Sequence, residues 1–298
     1  GSKVVSFKTL MVIASLGVAF GAISSSGMME VARKGIFNPE MFVFSEIMII
    51  FMAVMITDIL LLDVFNSYGL PTSTTVSIVF ELLGAAVVIS LIKLSALDLS
   101  FVELSDYINT SKATQIIFGI FFSVIVSFSI GALIQFRSRI ILSFEFEEKA
   151  KWMGSLFGGI ALTSIFYFIV IKGLKGTPYS RNPYDILGGL SISNFIDINL
   201  NMIVLLSLLI LTLLSYLFNS VFKLNIYTLI ICVGTFALAL AFAGNDLVNF
   251  IGVPIAGYES FLAWSASGVS AESFTMEILS EKVSAPTFIL LGAGIIMV

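Results

Sequence analysis

Uninterrupted apolar runs recur along this chain at lengths close to the thickness of a lipid bilayer, and this restricts the fold more than any other feature. Blocks at 9–26, 41–65, 71–94, 113–136, 154–171, 199–218 and 226–243 each approach the ~20 apolar residues a helix needs to cross the hydrocarbon core. Inside a bilayer no water bonds the backbone, so such runs fold as helices, which satisfy their N–H and C=O groups internally. Composition agrees. The chain is 58% hydrophobic and 11% charged, with a mean hydropathy of +1.08, values too apolar for a water-soluble domain of 298 residues. The sequence predicts an all-α integral membrane protein, a multi-span helical bundle in contact with the lipid bilayer. The last apolar run, from Pro286 to Val298, holds only ~13 residues and is short for a span.

Composition also removes whole classes of function. A net charge of −4, a pI near 4.9 and no basic cluster argue against a nucleic-acid partner. The single Cys232 excludes an intrachain disulfide and most zinc sites, and the absence of His removes the commonest general base and metal ligand. No enzyme is expected, and no cofactor beyond a coupling ion. Lys and Arg divide 7 against 8 between alternating sides if every block crosses once, so the positive-inside rule does not orient the chain. The mixed charges of 137–151 suit either an interfacial segment or a solvated loop, and the polar insert that begins at Lys172 has no evident role.

Carboxylates inside apolar runs are costly and draw attention. The second block carries Glu46, Asp58 and Asp63. Asp58, just over three helical turns beyond Glu46 and next to Thr57, is the best placed of the three to face a protein interior, whereas Asp63 suits the water boundary. Glu81 in the third block lies seven residues after Thr74 and four after Ser77, which puts all three on one helix face. Glu81 fits either a carboxyl satisfied by a neighbouring helix or a cation or proton site. Gly17 and Gly21 form a small-xxx-small pattern, compatible equally with a helix seam and with a lipid-facing surface.

Two polar stretches interrupt the pattern. In Gly69-Leu70-Pro71-Thr72-Ser73-Thr74-Thr75, proline and then a hydroxyl run announce a helix start, with an almost wholly apolar sequence from Val76 to Leu94 behind it. An ordinary cap would explain one or two of these hydroxyls. The surplus, with the positive end of the helix dipole, suits an anion. In Ala243-Gly244-Asn245-Asp246-Leu247-Val248-Asn249, the residues Asn245 and Asn249 share a face at i,i+4 and Asp246 adjoins Asn249 at i,i+3, while Gly244 and Gly252 to Pro254 bracket a break in the helix. Amide and carboxylate oxygens suit a hard cation such as sodium, and amide NH2 groups suit an oxyanion; a plain helix exit also fits the pattern. The segment from Asp63 to Thr75 resembles the tip of a hairpin.

Together, Gly69 to Thr75 and Ala243 to Gly252 resemble the two signatures of the PiT family of inorganic phosphate transporters, approximately a GANDVANAxG motif and a Gly-Leu/Met-Pro-x-Ser-Thr-Thr motif. The resemblance covers essentially the whole chain, and Val79 to Gly84 and Ser25 to Gly35 look like the longer variants of Bacteroides-type bacteria. It implies an inverted repeat with broken or re-entrant helices, each half carrying one copy of both motifs, and phosphate and sodium bound where broken helices meet. One copy of each motif is present here, so an incomplete repeat is expected, and the chain is expected to be a fragment of a longer member. Residues 1–136 would then be a first-repeat membrane region, 137–198 a connecting region with one span, and 199–298 the start of the second repeat.

The function implied is cation-coupled symport of inorganic phosphate in the cell's inner (plasma) membrane by a multi-pass protein. Ser73, Thr74 and Thr75 would donate to phosphate, Asn245 and Asn249 would be further polar ligands, and Asp246 would meet sodium or a phosphate hydroxyl. Glu81 and Asp58 are further candidates for the coupling ion, sodium or proton. No Lys or Arg lies near either motif, so co-bound cations would balance the anion, which favours cation coupling. An anion channel and a transporter of another oxyanion such as sulfate are the alternatives; a membrane-embedded transferase is disfavoured. A homo-oligomer is left open by the sequence.

Overall fold

A computed structural model describes residues 4–24, 36–142, 152–174, 178–280 and 287–297. The expectations for residues 25–35 and 143–150 lie outside the described residues. The rest is helical, as the apolar runs require: α1 (Phe7–Ser24), α2 (Phe44–Ser67), α3 (Thr74–Ala96), the single turn α4 (Leu104–Tyr107), α5 (Thr110–Leu142), α6 (Met153–Phe168), α7 (Ile192–Tyr216), α8 (Ile226–Ser267) and α9 (Thr287–Met297). Among the described residues six helical stretches are long and apolar enough to cross a membrane. Within α5 the most apolar window buries none of its residues, and Phe118, Phe121, Phe122 and Phe128 are all at least 66% exposed. A surface of that kind is stable against lipid and not against water, so the chain is a multi-pass membrane protein.

The chain forms two compact units. One comprises residues 1–26, 125–244 and 290–298; the other comprises 27–124 and 245–289. The first is built on close helix contacts at glycines. A Cβ on Gly17 would lie 2.5 Å from the Phe236 carbonyl oxygen and 2.7 Å from Ala239 Cβ, and one on Gly21 would strike the Leu240 carbonyl oxygen, so the small-residue pattern of α1 is a packing seam against α8. Gly158 and Gly159 of α6 do the same against α7, where a side chain would collide with Ser215 and Thr212. Both α6 and α7 end in a π-helical turn, Ile169–Leu174 and Leu217–Val221. The polar insert folds into a small hairpin in which Pro183–Tyr184 pairs antiparallel with Leu190–Ser191. Gly188 and Gly189 (φ +68° and +80°) supply the left-handed residues of its turn. Ser191 then caps α7 through the Asn194 N–H, 3.2 Å from its Oγ.

The second unit is organised on the α2–α3 hairpin. Its core joins Phe42, Ile47, Ile50 and Val54 to Leu82, Ala86 and Leu94, with Tyr107 and with Val253, Ala256, Met276 and Leu279 from the C-terminal side. The acidic connection after α3 is therefore not a free loop: Tyr107 is buried edge-on to Phe42 at 5.6 Å, and Asn38 Nδ2 donates to the Asp106 carbonyl oxygen at 2.7 Å. Residues 271–276 close the start of α2. There Phe44 N–H donates to Phe274 O, Ser45 N–H to Ala271 O, and Met276 N–H to Phe42 O.

One expectation changes. The backbone does not break at 244–254, because α8 runs unbroken from Ile226 to Ser267 with Pro254 inside it. A glycine or asparagine costs a helix about 1 kcal/mol or less, and a proline removes one hydrogen bond, so packing on both sides outweighs the local signal. Val253 and Ala256 are buried, and Gly257 lies against Phe51 of α2 with room for no more than ordinary contact.

Candidate functional site

The hairpin tip is made by the sequence expected to make it. α2 ends in a glycine cap: Gly69 takes φ +65°, and the N–H groups of Tyr68, Gly69 and Leu70 return to the carbonyls of Val64, Asn66 and Phe65. Pro71 and Thr72 complete the turn, and Ser73, with extended backbone, is the N-cap of α3. Its Oγ accepts from the Val76 N–H at 3.5 Å, the limit of a hydrogen bond. The start of α2 is better provided, since its amides meet Phe274 and Ala271 carbonyls and the Val43 N–H meets Glu46 Oε2 at 2.9 Å.

The hydroxyls of Ser73, the extended N-cap, and of Thr74 and Thr75, the first helical residues, point different ways. Ser73 lines a cavity beside the hairpin, Thr75 is exposed, and Thr74 is buried at 8% exposure with its Oγ1 unpartnered. A buried hydroxyl without a partner costs about 1–3 kcal/mol, so Thr74 is an unusual place to keep one. An open, mostly apolar groove of about 790 Å³ runs along α2 and α3, and Thr57, Thr72, Ser73, Ser77 and Glu81 are among the residues that line it, beside Phe65, Phe80 and Ile89. Among the described residues no Lys or Arg lines it.

Deeper in the hairpin, Ser77 joins the two carboxylates singled out from the sequence. Its Oγ lies 3.1 Å from Asp58 Oδ1 on α2 and 2.6 Å from Glu81 Oε1 on its own helix. Asp58 is 8% exposed and so faces the protein interior, as expected, whereas Asp63 is exposed. The second oxygen of Glu81, Oε2, is buried without a hydrogen-bond partner. Asn245, Asp246 and Asn249 belong to the same compact unit and to α8, but the side chains of 245–250 are outside the described residues. Among the described residues no three His, Cys, Asp or Glu side chains gather in a metal-binding group.

Glu46 proves to be structural, a role sequence reasoning missed. It caps α2 and pairs with Lys93 Nζ at 3.0 Å, and Lys93 also donates to the Met41 carbonyl oxygen and lies 5.7 Å from the Tyr107 ring centre. The two partners are 47 residues apart and share no periodicity, although the capping half of the arrangement, a Glu three residues past a helix start, was a readable signal. Thr57 and Thr72, which the sequence offered only as neighbours of Asp58 and of the Ser73–Thr75 run, also line the cavity wall.

A comparison with curated proteins found no match. Over 99% of its length the chain is similar in fold to a solved structure described as "The sodium-dependent phosphate transporter", with a TM-score of 0.58 and 17% identity. It spans 66% of that protein's length. The sequence profile of the phosphate transporter family (PHO4) matches residues 1–298. The profile match over the whole chain shows the family: this chain belongs to the phosphate transporter family.

Proposed function

We propose that the protein is a secondary active transporter that carries inorganic phosphate across the plasma membrane together with a cation. The observation that carries this reading is the start of α3, where the buried Thr74 hydroxyl has no partner and the cap on Val76 is stretched to 3.5 Å. These groups are a partial set of donors at the positive end of a helix dipole, and a tetrahedral oxyanion uses such donors. Ser73, Thr74 and Thr75 supply hydroxyls and first-turn amides. Asn245 and Asn249, at i,i+4 on α8, would supply amides.

Cation coupling follows from charge. The described residues of this unit contain two cations, Lys93 and Lys112; the first is paired with Glu46 and the second is exposed at the start of α5. Neither lines the cavity, so an entering phosphate needs a mobile positive charge. Asp246, Asp58 and Glu81 are the carboxylates that would hold it. The similar solved structure is described as sodium-dependent, which supports the same reading.

The test is uptake of labelled phosphate into proteoliposomes holding the full-length protein, with sodium and pH gradients imposed separately. Accumulation against the phosphate gradient, driven by one cation and not displaced by sulfate, is the expected result. Displacement by sulfate would make the substrate another oxyanion. Phosphate current that no cation gradient drives would make the protein an anion channel.

A further inference from the structure

We infer that the cavity between α6, α7 and α8 holds one acyl chain of a phospholipid, whose ester group meets Ser215 and whose phosphate meets Lys223. The site lies in the first compact unit, whereas the groove at the α3 start lies in the second, and it does not rest on the phosphate reading.

The cavity is made by three helix faces that meet without filling the space between them. Leu211, Ser215 and Phe218 fall at i, i+4 and i+7 along α7 and its π-helical turn, opposite Leu162 and Phe166 of α6 and Val233 of α8, and the walls enclose about 380 Å³. An empty space costs stability in proportion to its volume, and an apolar guest removes that cost. All lining residues except Ser215 are apolar, and two of them, Phe166 and Leu214, are also exposed on the outer surface of their helices. The guest is therefore apolar along most of its length and arrives from the bilayer.

Ser215 supplies the polar contact. In this unit the hydroxyls of Ser164, Ser207 and Thr235 bond back to a carbonyl three or four residues earlier, the ordinary arrangement inside a span. Ser215 is 1% exposed, and its Oγ has no partner. A Cβ on Gly158 would lie 3.0 Å from that oxygen, so the glycine keeps the space around the hydroxyl open. An unpaired buried hydroxyl is costly, and an ester carbonyl oxygen that enters with the chain accepts its hydrogen.

The order of groups along α7 matches the order along a phospholipid. Leu211 is farthest from the helix end and lies beside the acyl chain, Ser215 follows one turn later at the level of the ester, and the π-helical turn Leu217–Val221 leads to Phe222, which also lines the cavity, and to Lys223. Such turns are rare and recur at functional sites. Lys223 is exposed in the turn before α8, and among the described residues no carboxylate pairs with it. It stands eight residues past Ser215, about 12 Å or less by helical rise, a distance that its four-carbon stem shortens. Its ammonium is placed to meet the phosphate of a lipid whose ester is at Ser215.

Native mass spectrometry tests this on the full-length protein, delipidated in detergent and titrated with dioleoyl phosphatidylglycerol or with dioleoylglycerol, which lacks the phosphate. One phosphatidylglycerol per chain is expected on wild type, with dioleoylglycerol weaker by about two- to fivefold. Val233→Phe fills the space and should weaken phosphatidylglycerol by about tenfold or more. Ser215→Ala should weaken it by about two- to tenfold, the share of one hydrogen bond, and Lys223→Ala should bring it down to the level of dioleoylglycerol. Where Val233→Phe fails to insert, Ser215→Ala decides the same point, since it adds no volume. No bound lipid on wild type, or equal binding by wild type, Val233→Phe and Ser215→Ala, would overturn the site. Equal affinity for the two lipids, unchanged by Lys223→Ala, would overturn the phospholipid assignment.

Discussion

Ser77 Oγ reaches across the α2–α3 hairpin to Asp58 Oδ1 at 3.1 Å, a contact between residues 19 apart in sequence that turns two separate intramembrane carboxylates into one group with Glu81. The hairpin makes this possible because Gly69 ends α2 and Ser73 starts α3 within a few residues, leaving the helices side by side. The first prediction concerns that contact. Asp58→Leu removes a buried polar group together with its partner's need, leaving Ser77 free to serve Glu81, and should be tolerated in folding within about 1 kcal/mol. Ser77→Ala strands both carboxylates and should destabilise by about 1–3 kcal/mol. Thermal unfolding in detergent measures both, and the reverse order would contradict the arrangement.

The glycine seam between α6 and α7 gives a second prediction. Gly159→Ala places a Cβ against the Thr212 backbone and side chain, and overpacking of this kind costs about 1–3 kcal/mol. Gly119→Ala in α5, where nothing lies within 4 Å, should be neutral or stabilising by less than about 1 kcal/mol. Unfolding temperatures of the two variants, compared with wild type, check the difference.

The Lys93–Glu46 pair predicts a modest effect. Both side chains are about one quarter exposed, at 25% and 22%, so the ion pair itself is worth about 0.2–1 kcal/mol. Lys93→Met also abandons the Met41 carbonyl oxygen and should cost somewhat more than Glu46→Gln. A double-mutant cycle gives the coupling, and a coupling well above about 1 kcal/mol would mean that the pair is drier than its exposure indicates.

Much of this was legible in the sequence because the deciding forces are local. The placement of the six span-length helices follows from apolar length, while the first block, α1, falls short of span length among the described residues; the hairpin tip follows from Gly69 and Pro71, the cap from Ser73, and the inward face of Asp58 from the cost of a carboxylate beside lipid. The seam at Gly17 and Gly21 was half legible, since spacing offers a close contact and cannot say whether a partner comes. What escaped is non-local. Glu46 finds Lys93 across 47 residues, and the cavity is lined jointly by residues of α2 and α3, such as Phe65 and Phe80, that no local pattern brings together. The break expected near Gly244 and Pro254 failed for the opposite reason: a local penalty of about 1 kcal/mol at a glycine and about 3 kcal/mol at Pro254 lost to tertiary packing around Val253 and Ala256.

The substrate site is tested most directly at Thr74, by the initial rate of labelled phosphate uptake into proteoliposomes carrying the full-length protein as wild type, Thr74→Val or Thr74→Ser under a cation gradient. A lost hydrogen bond to a charged ligand is worth about 1.5–3 kcal/mol, so Thr74→Val should lower uptake at limiting phosphate by about ten- to a hundredfold, while Thr74→Ser, which keeps the hydroxyl, should retain most of it. Thr74→Val inserted normally and transporting phosphate as well as wild type would contradict the assignment of the α3 start as the phosphate site.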